Sequence, residues 1–220
     1  MSDMRRMMMM FTRPVEGGGG GGDDPTPVLP YDAQVEYLQS SGTQYIQIQD
    51  VIYNSSNKYV FEGHLNFASN PTTNQYMGWD AGGMIGWVGN KGWFDGYDLS
   101  TYISAPYNTD ANISLTINSG TSTYTVFSID GYTSLSRPHS SLTNYAKSNP
   151  YTLFGFWSKT TFAKISIRIY DFKVYINDTL AHDLIAVRKN GVGYMYDKVS
   201  GKLFGNSGTG SFTYGNDVTN

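Results

Sequence analysis

Lys58-Tyr59-Val60-Phe61-Glu62-Gly63-His64-Leu65-Asn66-Phe67 is the stretch on which the fold turns. Tyr59, Phe61, Leu65 and Phe67 fall on one face of an extended chain, with Lys58, Glu62, His64 and Asn66 on the other. Side chains alternate across a strand but recur every three to four residues on a helix, so this spacing predicts a half-buried antiparallel strand. The period returns at Asn112–Asn118, where Ile113, Leu115 and Ile117 alternate with Asn112, Ser114, Thr116 and Asn118. It returns again at Lys164–Ile169, where Ile165, Ile167 and Ile169 alternate with Lys164, Ser166 and Arg168. Phe172, Val174 and Ile176 then continue on the other parity, which predicts a bulge near Tyr170–Asp171. Asp130-Gly131 reads as a hairpin turn after a strand at Thr123–Ile129. No stretch of useful length repeats at helical spacing. Many short strands with Gly, Asn and Asp turns predict an all-β fold, a two-sheet antiparallel β-sandwich.

Around that core the chain divides by composition. Residues 1–13 form a Met- and Arg-rich tail and residues 14–30 a Gly/Pro linker containing Gly17–Gly22; residues 31–215 form one domain, and 216–220 a short C-terminal tail. Six consecutive glycines hold no structure of their own, so the N-terminal tail is expected to be flexible. Met7–Met10 and Phe11 are cut short by Thr12, Arg13 and Pro14, against the roughly 7–15 apolar residues of an export signal. No standard export signal and no membrane span is expected.

Charged residues make up 15% of the 220, well under the usual share of about 25%, while aromatic residues reach 15%. The formal net charge of −3 lacks the basic balance of a nucleic-acid platform. The absence of cysteine excludes disulfides, cysteine-ligated zinc and thiol catalysis.

Two blocks resemble a known group. Val35-Glu36-Tyr37-Leu38-Gln39-Ser40-Ser41-Gly42-Thr43-Gln44-Tyr45-Ile46 resembles the opening of certain concanavalin A-like, LamG-like domains. Ile169–Tyr175, Gly193–Asn206 (with Tyr196-Asp197-Lys198-Val199-Ser200-Gly201 at its centre) and Gly208–Phe212 resemble their closing block. The resemblance implies a concanavalin A-like jelly roll whose first and last strands pair. Such domains are common in proteins of gut bacteria and of the phages that infect them.

Relatives of that fold include glycoside hydrolases with paired carboxylates on one strand, but Glu16, Glu36 and Glu62 lie in no such motif. Asp95 and Asp98, in Phe94-Asp95-Gly96-Tyr97-Asp98, read as turn residues. His64, His139 and His182 are scattered and read as surface residues. No catalytic residue and no cofactor is expected. Asp80, Asp95 and Asp98 have no diagnostic calcium spacing, so no metal site is assigned.

Sugar binding has better material. Trp87, Trp93 and Tyr97, interleaved with glycines and Asp95, offer ring faces for a pyranose and short polar groups for its hydroxyls. Trp79, Trp87 and Trp93 each read, taken singly, as core residues, so the site requires one of Trp87, Trp93 and Tyr97 on the surface. The expectation is a non-enzymatic phage virion module, a fibre, decoration or adhesin subunit that binds a bacterial surface glycan. The tail would dock it to other virion proteins, and a homo-oligomer is left open. The rivals are a bacterial cell-surface lectin, a purely structural capsid or fibre jelly roll, and a glycan hydrolase using Asp95 or Asp98.

Overall fold

The alternation at Tyr59–Phe67 is realised as a strand that buries Tyr59, Phe61, Leu65 and Phe67. The computed structural model describes residues 29–67, 75–79, 83–88, 91–94, 103–104, 108–118, 124–138, 149–158 and 161–219. The expected tail at 1–13 and nearly all of the linker lie outside them. No helix occurs among the described residues.

Tyr59–Phe67 sits in the middle of an eleven-stranded sheet. Its main path runs Leu135–Pro138, Tyr124–Ile129, Ala111–Ile117, Tyr59–Phe67, Ile167–Ile176, Thr179–Lys189, Val192–Asp197 and Leu203–Phe204, each neighbour antiparallel. The opposing layer holds a six-stranded sheet, Thr161–Lys164, Gly155–Ser158, Gln75–Gly78, Met84–Val88, Lys91–Phe94 and Ile103–Ser104, and the pair Pro150–Leu153 with Ile46–Ile52. One of its pairings, Phe156 with Gly78, is parallel.

Aromatic rings join the layers into a sandwich. Phe61 of the large sheet stacks on Tyr151 of the opposing layer with centroids 4.1 Å apart. Trp79 meets Tyr59, Phe61 and Tyr151 edge-on at 4.8, 5.3 and 5.3 Å, and its Nε1 donates to the Val51 carbonyl at 3.0 Å. Its one polar atom being satisfied, Trp79 can be buried almost completely, so this tryptophan is core, as read.

The bulge falls where the parity changes. Ile169 pairs with Leu65 and Asp171 with His64, which leaves Tyr170 as the extra residue. Phe172 and Val174 thereby turn inward and are fully buried. Phe172 closes over Gly63, where an added Cβ would lie 2.6 Å from the ring. At Asp130-Gly131 the Tyr132 amide donates to the Ile129 carbonyl at 3.0 Å, a tight turn with Gly131 at φ 80°.

One strand reads differently. Lys164–Ile169 is not continuous: Thr161–Lys164 belongs to the opposing layer and Ile167–Ile176 to the large sheet. Ile165 and Ser166 carry the chain between layers, and Ser40 Oγ holds the crossing by donating to the Ile165 carbonyl at 2.7 Å. The apolar period survives because Ile165, Ile167 and Ile169 all face the interior on both sides of the crossing.

The first and last stretches of the described residues meet. Leu38–Gln39 pairs with the last strand, Thr213–Tyr214, and Val35 bridges to Asp217. Arg188 clamps Asp217 through Nε and Nη2 at 2.8 and 2.6 Å.

Candidate functional site

Every strand of the large sheet that buries one parity turns the other outward, and register decides which outward residues meet. Lys173 lies opposite Glu62, Glu62 opposite Ser114, and Ser114 opposite Ser128. Four strands thus lay one polar row across the outer face. Asp171, His64 and Asn112 form the next row. Beyond it Asn112 Nδ2 donates to Asp130 Oδ2 at 2.8 Å and the Asp130 amide to the Asn112 carbonyl at 3.0 Å.

These rows line a groove of about 280 Å3 whose walls carry Glu62, Ser114, Ser128, Asp171, Lys173 and the Asn112–Asp130 pair. The volume falls just below the roughly 300–1,000 Å3 usual for small-molecule sites. Among the described residues, the side chains of Glu62, Ser114, Ser128, Asp171 and Lys173 make no hydrogen bond or ion pair. Carboxylate acceptors, an ammonium donor and two-way hydroxyls therefore converge on one depression with their capacity unspent.

Rings border the groove. His64, between Asp171 and Asn112, stacks on Tyr170 at 4.1 Å and 19°. Tyr170 meets Tyr37 edge-on at 5.4 Å, and the Arg168 guanidinium lies 4.9 Å over the Tyr37 ring. Arg168 Nε donates to Gln39 Oε1 at 2.8 Å. The Tyr170 hydroxyl donates to Asp110 Oδ1 at 2.8 Å, and Asn66 Nδ2 to the same oxygen at 2.7 Å. The Asn66 bond holds the Asp110 carboxyl below the usual range, with the Tyr170 bond adding to it against the effect of burial. Burial first, then Asp110, pushes the Tyr170 phenol up to about 12.

The site read from sequence is placed only in part. Trp87 and Trp93 stand in the hairpin Met84–Val88/Lys91–Phe94, Trp87 opposite Gly92 and Trp93 opposite Gly86. Their side chains lie outside what the structure describes, as do Asp95 and Tyr97 altogether. Asp80, Asp98 and His139 lie outside it too. The groove residues were visible in the sequence as the polar parity of alternating strands. What was missing was the register that sets Lys173, Glu62, Ser114 and Ser128 side by side.

His182 is a correction. It is not a surface residue: its side chain is 5% exposed, with Nδ1 3.0 Å from Asp197 Oδ2 and Nε2 3.2 Å from Asp50 Oδ1. Asp197 ends the next strand, 15 residues on, and Asp50 belongs to the opposing layer, so no local pattern could have shown the burial. His64 is half-buried in its ring stack. Among the described residues no group of three or more His, Asp or Glu could hold a metal ion. No helix among them is long and apolar enough to cross a membrane. No protein-family model matches the chain, and no curated protein matches it.

Proposed function

We propose that this chain is a non-enzymatic, concanavalin A-like glycan-binding module, working as a fibre, decoration or adhesin subunit of a phage particle. The observation that carries the binding half is the row Lys173–Glu62–Ser114–Ser128, unpaired among the described residues and lining one groove. Sugar hydroxyls both donate and accept, and a mixed set of acceptors, donors and hydroxyls answers them on both counts. Half-buried rings beside the groove add apolar faces for the C–H side of a pyranose. The virion half rests on the resemblance of the opening and closing blocks to domains of gut bacteria and their phages, and on the Gly-rich spacer behind a Met/Arg-rich start.

Calorimetric titration of the full chain against capsular, lipopolysaccharide and wall-polysaccharide preparations tests this reading. Glu62→Ala and Lys173→Ala should each weaken binding by about tenfold or more, equivalent to about 1.4 kcal/mol, with the melting temperature little changed. If only Trp87→Ala and Trp93→Ala weaken it, the site lies on the other layer. Carboxylates Glu62 and Asp171 in one groove are the feature that favours hydrolysis as a second reading. Reducing ends released by the parent chain but not by Glu62→Gln would establish it.

A further inference from the structure

Resting on that glycan-binding reading, the geometry points to a longer ligand: we infer that the site takes an internal stretch of a linear polysaccharide rather than a single terminal sugar. The polar face of the strands continues beyond the groove. Glu62, His64 and Asn66 share one face of Tyr59–Phe67, and across from them the neighbouring strand sets Lys173, Asp171 and Arg168, with Tyr170 bulged out between the last two. The polar track therefore runs along the strands from Glu62 to Asn66, about 13 Å at roughly 3.3 Å per residue. Across the strands, from Lys173 to Ser128, it covers about 14 Å at roughly 4.8 Å per spacing. One pyranose ring occupies only part of either span.

The far end has the makings of a second subsite of different character. Tyr37, Tyr170 and His64 supply half-exposed rings, and Arg168 lies over one of them. Asn66, 4% exposed, spends its Nδ2 on Asp110, and among the described residues its buried Oδ1 has no hydrogen-bond partner. A polar groove beside a ring-lined subsite matches successive residues of one chain, the first held by hydroxyl contacts and the next by stacking.

The test is affinity against chain length, using β-linked gluco-, xylo- and N-acetylglucosamine ladders of one to six residues on the full chain. In the ladder that binds, affinity should rise by about tenfold or more (about 1.4 kcal/mol) between one residue and four and then level off. Tyr37→Ala and Tyr170→Ala should abolish that rise with chain length, and Glu62→Ala should weaken every length. A single sugar binding as tightly as the hexasaccharide would overturn the inference and leave the groove reading standing. So would a parental length dependence in both tyrosine variants. If no ladder and no polysaccharide preparation binds, the glycan-binding reading fails and this inference with it.

Discussion

His182 Nδ1 lies 3.0 Å from Asp197 Oδ2, and both side chains are shut away from solvent. Asp197 opens the turn Asp197-Lys198-Val199-Ser200-Gly201 of the closing block. Its carboxylate accepts the Asp183 and Val199 amides at 2.9 and 3.1 Å and the Ser200 hydroxyl at 2.6 Å, besides the imidazole. Gly201, at φ 72°, returns its amide to the Asp197 carbonyl at 2.8 Å. One aspartate thus fixes a turn, the strand Thr179–Lys189 beside it and, through His182, Asp50 of the opposing layer. The turn motif at the centre of Gly193–Asn206 thus ties strands together as well as closing a turn.

Stability should therefore fall on the acid side. Burial alone would raise the Asp197 carboxyl, but hydrogen bonds from Ser200, Asp183, Val199 and His182 outweigh it and hold the group below the usual range. A carboxyl lowered in the folded state contributes stability above its unfolded value of about 3.9 and loses it as pH falls through the folded value. Urea midpoints should hold down to about pH 5 and drop below about pH 4. Asp197→Ala should cost about 3–5 kcal/mol at pH 7 by leaving a buried network unpaired, and its acid limb should be shallower. An unchanged acid limb would show that other carboxyls carry the dependence.

Tyr151 offers the opposite kind of change. Its ring packs between Phe61, Trp79 and Phe172, yet among the described residues its buried hydroxyl has no partner, and burial drives the phenol far above its usual range. Tyr151→Phe keeps the ring and removes the orphan, so it should stabilise the domain by about 1 kcal/mol in urea unfolding. Destabilisation would mean that the hydroxyl has a partner after all.

Gly63 is required by a close approach. Any Cβ there meets the Phe172 ring at 2.6 Å, and Phe172 is fully buried. Gly63→Ala should cost about 1–3 kcal/mol by overpacking. Phe172→Leu should recover part of that in the double variant, read as a coupling energy by a double-mutant cycle. Additive losses would contradict the contact.

These residues show what sequence could and could not disclose. Period-2 alternation exposed Tyr59–Phe67 and Ala111–Ile117, and the parity change exposed the bulge at Tyr170, because each is written in adjacent residues. The crossing at Ile165–Ser166 was hidden because the apolar period runs unbroken through it. His182, Asp197 and Asp50 meet across 15 residues on one side and 132 on the other, beyond any local pattern. The groove was half legible: its residues were the polar parity, but their alignment depends on the register of four strands.

The most direct measurement is a map of backbone amide shifts in the full chain as a binding polysaccharide fragment is added. The largest changes should fall at Glu62, Ser114, Ser128, Asp171 and Lys173, extending to His64 and Tyr170 as the fragment lengthens. Changes confined to the Trp87–Trp93 hairpin, with the outer face of the large sheet silent, would contradict the groove reading.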